Sequence, residues 1–68
     1  MTISLLVNGD PWDGPREVTV SQVVAAWCDS PRGIAVARNG EVVPKSRWDE
    51  TSLAPGDRIE IVTAAAGG

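Results

Sequence analysis

The sequence predicts an α+β fold in which a mixed five-stranded sheet wraps around one helix. Three observations support this: apolar residues alternate along residues 2–7, a segment of helical period follows at about residues 22–28, and three extended segments separated by turn signals come after it. The chain has 68 residues and no composition shift that marks a linker. It is therefore expected to form one domain around one core.

A hairpin is predicted at the start of the chain. Ile3, Leu5 and Val7 occupy alternate positions, as they do in a strand with one buried face. Turn residues at 8–11 and 14–15 then separate this strand from a second strand, which is predicted at residues 16–20.

One short helix is predicted from residue 22 to about residue 28, with Ser21 as its N-cap. Val23, Val24 and Trp27 fall on one helical face, which predicts that Trp27 belongs to the core. Cys28 ends the helix in a chain without histidine to activate it, so it is interpreted as a small buried apolar residue.

Three strands are predicted after the helix. Residues 34–38 form a nearly continuous apolar run, which is typical of an inner strand. Asn39-Gly40 is the strongest hairpin signal in the chain, and residues 41–43 return from it. Residues 58–62 form the last strand, with its two isoleucines facing inward.

The connection before the last strand is polar and has room for a helical turn. Trp48 lies within it and is interpreted as a packing residue, and Leu53 is expected to fill the core beneath it. Trp12 lies in the connection predicted within the first hairpin, where covering the core edge and anchoring a partner both remain open.

The order of these elements predicts how the sheet is assembled. A helical connection allows the first and last strands to lie side by side and parallel, which gives the β-grasp, or ubiquitin-like, arrangement. The domain then covers residues 1–62, and residues 63–68 form a flexible C-terminal tail. Leu6 and Val62 face outward near the root of this tail, where an exposed apolar spot is a candidate docking site for a partner.

Composition excludes several classes of function. The chain has no histidine and one cysteine, so a transition-metal site would lack ligands, and no bound cofactor is expected. A formal net charge of −3 argues against nucleic acid or an anionic membrane as a partner. No apolar run approaches the roughly 20 residues that span a bilayer, so a cytoplasmic protein is expected.

The tail is narrow and ends in Gly67-Gly68, which makes the carboxylate of Gly68 the candidate reactive group. Small residues can enter a confined active site, because glycine adopts backbone angles that are closed to other residues. A C-terminal carboxyl has a pKa of roughly 3.3–3.7 and is a poor electrophile as an anion, whereas a mixed anhydride with AMP supplies a good leaving group. A frayed chain end without function is the alternative.

Four segments resemble the ThiS sulfur carriers of thiamine biosynthesis. They are Val7-Asn8-Gly9, residues 34–48, residues 56–62 and the terminal Gly67-Gly68, and they occur in the same order from the first strand to the last residue. The sequence departs from the family pattern at residues 12–15, which make the first hairpin connection look extended, and at Ala66, where many relatives have a third glycine.

The resemblance implies a protein substrate and not an enzyme. A ThiF-like adenylating enzyme would use ATP and magnesium to convert the Gly68 carboxylate to an acyl-adenylate. A cysteine desulfurase or another sulfur donor would displace AMP and leave a thiocarboxylate, from which a ThiG-like thiazole synthase would take sulfur. In this scheme Gly67 and Ala66 give the tail access to its partners.

Other functions remain open at this point. The small subunit of molybdopterin synthase and a carrier for cysteine biosynthesis share the same activation chemistry. A ubiquitin-like modifier would join Gly68 to lysines of other proteins, and a binding module would keep its function without Gly67 and Gly68.

Overall fold

A computed structural model describes residues 1–28 and 33–63 of the chain. In these residues, one sheet contains the strands β1 (Thr2–Val7), β2 (Asp10–Pro15), β3 (Ile34–Arg38), β4 (Glu41–Val43) and β5 (Arg58–Thr63), and it is accompanied by the helix α1 (Val20–Trp27) and a 3₁₀ turn (Lys45–Arg47). The strand order is β2-β1-β5-β3-β4. β1 and β5 are parallel and all other neighbours are antiparallel, which confirms the predicted mixed β-grasp sheet.

The second strand lies earlier in the chain than predicted. β2 begins at Asp10, directly after a two-residue turn in which Asn8 has φ 52° and Gly9 has φ 84°. Positive φ at both positions is the type I′ geometry, which starts antiparallel pairing at once. The prediction of a strand at residues 16–20 was therefore wrong, and residues 12–15 belong to β2 and not to an extended connection.

Proline is tolerated in β2 because of the strand's position and register. β2 lies at the edge of the sheet, and Pro11 and Pro15 pair with Leu6 and Thr2. Counting from the turn, these are the pairs that exchange no backbone hydrogen bonds, so the N–H that proline lacks would have pointed to solvent. The Trp12 ring packs against the core and passes over Gly14, where any Cβ would collide with it.

The helix begins two residues earlier than predicted, at Val20, with Thr19 and not Ser21 as its N-cap. The Gln22 N–H donates to Thr19 Oγ1 at 3.2 Å, and the Thr19 N–H donates to Gln22 Oε1 at 2.9 Å. This reciprocal pair is a capping box, which satisfies two N–H groups that the first turn leaves without helical partners.

The helix packs on the sheet through its valines. Val20, Val23 and Val24 are buried, whereas Trp27 is 42% exposed at the last helical position. The prediction that Trp27 belongs to the core was wrong, because the helix ends at this residue and leaves its side chain exposed, whereas Trp48 is buried in the core at 5% exposure. Trp48 Nε1 also donates to the Val43 carbonyl oxygen at 2.9 Å.

The core lies between the inner face of the sheet, α1 and the connection before β5. Its buried members are Ile3, Leu5, Val7, Val18, Val20, Val23, Val24, Val36, Trp48, Leu53, Ile59 and Ile61. The predicted inward positions of both β5 isoleucines and the role of Leu53 are confirmed. Within the described ranges, no helix is long and apolar enough to cross a membrane.

Candidate functional site

The root of the C-terminal tail is fixed by the strand at the centre of the sheet. β5 lies between β1 and β3 and ends at Thr63, one residue later than the predicted domain boundary. Ala66, Gly67 and Gly68 lie outside the described residues. The structure therefore places Thr63, the last residue it describes, on the central strand.

The outer face of the sheet carries the two predicted docking residues. Side chains alternate along β1 and β5, so that Leu6 is 37% exposed and Val62 is 62% exposed, on the face opposite the helix. The predicted orientation of both residues is confirmed. Their role in docking stays a prediction.

The structure does not bring Leu6 and Val62 together. Leu6 pairs with Arg58 across the parallel β1–β5 ladder, four positions before Val62 on β5. At a rise of about 3.3 Å per residue, this separates them by about 13 Å along the strand. Glu60 occupies the intervening outward position.

Val62 instead belongs to an apolar cluster formed with β3 and β4. Val62 pairs with Ala35, and Ala37 pairs with Val42, whose side chain is 75% exposed. We call Ala35, Ala37, Val42 and Val62 the tail-root patch. Sequence analysis missed its β3 and β4 members, although the two-residue Asn39-Gly40 turn sets the register that places Ala37 opposite Val42.

A shallow groove of about 260 Å³ lies on the Leu6 side of the same face. It is lined by residues of β1 and β5 and by the glycines of the two Asn-Gly turns: Leu6, Arg58, Ile59, Glu60, Gly9 and Gly40. Both turns have positive φ at Asn and Gly, so each projects no bulky side chain from its second position.

Hydrogen bonds around Asp57 fix the start of β5. Its carboxylate accepts from Arg38 Nε at 2.9 Å, Asn39 Nδ2 at 3.1 Å and the Ala54 N–H at 2.8 Å. Asn39 Oδ1 in turn accepts from the Arg58 N–H at 2.9 Å. Side chains of β3 and of the β3–β4 turn thus tie β5 in place at its first residue.

These contacts also change the acidity of Asp57. Burial raises the pKa of this carboxyl, but the hydrogen bonds from Ala54, Asn39 and Arg38 and the positive charge of Arg38 outweigh burial and lower the pKa below its ordinary value of 3.8. Asp57 is therefore ionised at neutral pH and acts as a structural acceptor.

A roomier cavity of about 380 Å³ lies on the helix side, between α1 and the 3₁₀ turn. Val24, Cys28, Lys45 and Trp48 are among its lining residues. Cys28 is partly buried and packs against the core, and its interpretation as a small buried apolar residue stays a prediction. Among the described residues, no group of three or more potential ligands could hold a metal ion.

Fold and site together define a class: a β-grasp protein whose central strand β5 ends beside an exposed apolar patch. Residues 5–68 match the ThiS family, and the chain belongs to this family of sulfur carriers. The match includes the last three residues of β1, the tail-root patch and Gly67-Gly68.

Two similar proteins are consistent with this assignment. The crystal structure of the thiamine biosynthesis protein ThiS from Geobacter metallireducens is 30% identical, with a TM-score of 0.80 over 97% of this chain and 100% of that chain. A thiazole synthase of Paramagnetospirillum magneticum is 33% identical over 66 residues, which are 97% of this chain and 20% of that protein. The chain thus spans a fifth of the length of that relative.

Proposed function

We propose that this protein carries sulfur as a thiocarboxylate on Gly68 and donates it for the thiazole ring of thiamine. The observation that carries the proposal is the ThiS family match over residues 5–68, which includes the Gly67-Gly68 end. The position of β5 supports it, because a central strand is a rigid base for a tail that must enter other proteins.

The proposed chemistry takes place on partner enzymes. In the site of a ThiF-like enzyme, with magnesium, a Gly68 carboxylate oxygen attacks the α-phosphorus of ATP and releases pyrophosphate. The terminal sulfur of a persulfide, on a cysteine desulfurase or another donor, then attacks the Gly68 carbonyl carbon and displaces AMP. A second thiol reduces the resulting acyl disulfide and leaves the thiocarboxylate. This chain is the substrate in each step, and it supplies a carbonyl with little steric hindrance.

A thiazole synthase is the proposed acceptor of the sulfur. The Paramagnetospirillum magneticum thiazole synthase contains a segment similar to this chain within its longer sequence. A carrier-like segment within a thiazole synthase supports a partnership between the carrier and the synthase. We place both proteins in the cytoplasm. Ala66 and Gly67 would let the tail enter the synthase site.

The outer face of the sheet is the proposed docking surface. Leu6 and Val62 are its original candidates, and the tail-root patch extends it across β3 and β4. Exposed apolar side chains near the point where the tail departs would bind a partner while the tail reaches its active site.

The test is the intact mass of the protein after incubation with ATP, magnesium, the ThiF-like enzyme and a sulfur source. We expect a gain that corresponds to replacement of one oxygen by sulfur, mapped to Gly68. Deletion of Gly68 should abolish adenylation without a change in thermal unfolding, since the tail lies beyond β5. A matched variant, Ala64→Gly, alters the tail but keeps its terminal glycine and should still be loaded.

Two results would contradict the proposal. One is acyl-adenylate formation by the Gly68 deletion variant. The other is attachment of the wild-type chain to lysines of other proteins, which would identify a modifier. Transfer of the loaded sulfur to a molybdopterin precursor, and not to a thiazole synthase, would keep the carrier chemistry and change the pathway.

A further inference from the structure

The pairing between β1 and β5 continues beyond the end of β1. The Leu6 N–H donates to the Asp57 carbonyl at 3.0 Å, and the Asn8 N–H donates to the Ile59 carbonyl at 2.8 Å. In a parallel ladder the next such bond to β5 would come from residue 10. The chain has by then turned into β2, where Asp10 pairs with Val7.

The side chain of Asn8 supplies the missing contacts. Asn8 Nδ2 donates to the Ile61 carbonyl oxygen at 3.2 Å, and the Ile61 N–H donates to Asn8 Oδ1 at 2.8 Å. One carboxamide thus replaces the backbone groups that β1 no longer offers. β5 is held on both edges as far as Ile61, two positions before Thr63.

Asparagine is suited to this position for two reasons. Its φ of 52° lies in the left-handed region, which asparagine tolerates better than most residues other than glycine. Its side chain also carries a donor and an acceptor on one planar group, as a peptide unit does. Glycine satisfies the first requirement and lacks the second.

We propose that Asn8 is a positioning residue that sets the direction in which the C-terminal tail leaves the sheet. This inference rests on the proposed function, because the tail must reach an adenylation site. From Thr63 to Gly68 there are five residues (68 − 63 = 5), which span at most about 17 Å. If the end of β5 separates from β1, a tail of this length does not correct the change in its direction. Such separation lowers the fraction of molecules that can bind the adenylating enzyme.

The structure offers a matched control in Asn39. Asn8 and Asn39 are both the first residue of an Asn-Gly turn, with φ of 52° and 50°. Each side chain makes two hydrogen bonds next to β5, but Asn39 contacts Asp57 and Arg58 at its start. Replacing either by glycine keeps the turn geometry and removes the side-chain bonds.

The experiment measures adenylation by ATP–pyrophosphate exchange on the ThiF-like enzyme, with the carrier as the varied substrate and all variants fully folded. Loss of two bonds in Asn8→Gly should raise the KM for the carrier about tenfold, with kcat within about twofold of wild type. Asn39→Gly should leave both constants within about twofold of wild type, although it also loses two bonds.

Amide hydrogen exchange provides a readout that needs no enzyme. Exchange at Ile61 should accelerate in Asn8→Gly and not in Asn39→Gly, whereas exchange at Arg58 should show the reverse. This crossed pattern would separate loosening of the tail root from a general loss of stability.

The outcomes distinguish the inference from the proposed function. Adenylation of the wild type with an unchanged KM for Asn8→Gly would overturn the positioning role alone. An equal rise in KM for both variants would also overturn it. If the wild-type chain is not adenylated at all, the proposed function fails and this role fails with it.

Discussion

Asp57 shows how one buried carboxylate organises the approach to β5. It is 8% exposed and is the buried charged residue in the part of the chain that the structure describes. Three donors from three different segments converge on it, and Arg38 neutralises its charge across a 2.9 Å contact. A buried charge with its lone pairs satisfied avoids the desolvation penalty that an unpaired one would suffer.

Asp57→Asn should lower the free energy of unfolding at pH 7 by about 2 kcal/mol, because the amide cannot accept from all three donors. The folded-state pKa of Asp57 is lowered, so its stabilising contribution is complete above the ordinary pKa of 3.8 and is lost as pH falls below that value. The wild type should lose this contribution to the free energy of unfolding on acidification, and Asp57→Asn should not.

Denaturant unfolding between neutral pH and pH 3 would measure both effects. Asp49→Asn removes the same charge from an exposed position and serves as the control. Equal stability of Asp57→Asn and Asp49→Asn at neutral pH would contradict the role assigned to Asp57.

Two tryptophans show where residue patterns determine burial and where they do not. Helical periodicity placed Trp27 on the same face as Val23 and Val24, but periodicity does not indicate how far along the helix this face is covered by the rest of the protein. Trp48 lies in a segment without a regular pattern, and its burial depends on long-range contacts of the connection with the sheet and helix.

Trp48→Phe should therefore destabilise the protein much more than Trp27→Phe. The first change leaves the Val43 carbonyl without its 2.9 Å donor and removes buried volume, for a cost of about 2–3 kcal/mol. The second affects a side chain that is 42% exposed and should cost less than about 1 kcal/mol. Midpoints of chemical unfolding would compare them, and similar midpoints would argue against Trp48 as the aromatic core residue.

At the scale of elements, the sequence was informative wherever a local rule applied. β3 and β4 flank the Asn39-Gly40 turn as predicted, and the inward residues of β1 and β5 were predicted correctly from alternation. β2 was misplaced because proline and glycine within residues 10–15 are also typical of turns. Only its place at the sheet edge, a property of the assembled sheet, makes these residues compatible with a strand.

The N-cap of α1 is expected to contribute to the stability of the fold. Thr19→Ala should lower the free energy of unfolding by about 1 kcal/mol, because the Gln22 N–H loses its acceptor. Ser21→Ala should change stability by less than about 0.5 kcal/mol, since Ser21 lies inside the helix. Thermal unfolding of the two variants would show which residue caps the helix, and a larger effect of Ser21→Ala would contradict the assignment.

At the scale of the whole molecule, the fold and the family were predictable and the shape of the docking surface was not. The element order and the Gly67-Gly68 end indicated a β-grasp carrier. The separation of Leu6 from Val62 by about 13 Å along the strand depends on the parallel register of β1 with β5, which no local pattern encodes. The same register determines which exposed residues become neighbours on the outer face.

The tail-root patch predicts the effect of polar substitutions on partner binding. Val42→Thr and Val62→Thr keep side-chain shape and strand propensity, so the fold should be retained. Each should weaken binding to the ThiF-like enzyme about fivefold in titration calorimetry, because less apolar surface is transferred from water. The reverse exchange Thr2→Val, on an outward position of β1, is the control. Unchanged affinity in the double variant would place the docking surface elsewhere.

The central place of β5 also affects when the protein can fold during its synthesis on the ribosome. β1 and β5 pair although Leu6 and Arg58 are 52 positions apart (58 − 6 = 52), so the sheet cannot close until the last strand has been synthesised. A nascent chain that stops before residue 58 lacks the strand that joins the β1–β2 hairpin to the β3–β4 hairpin. Such fragments would be left to proteases, and the folded population would consist of molecules that carry the strand from which the tail departs.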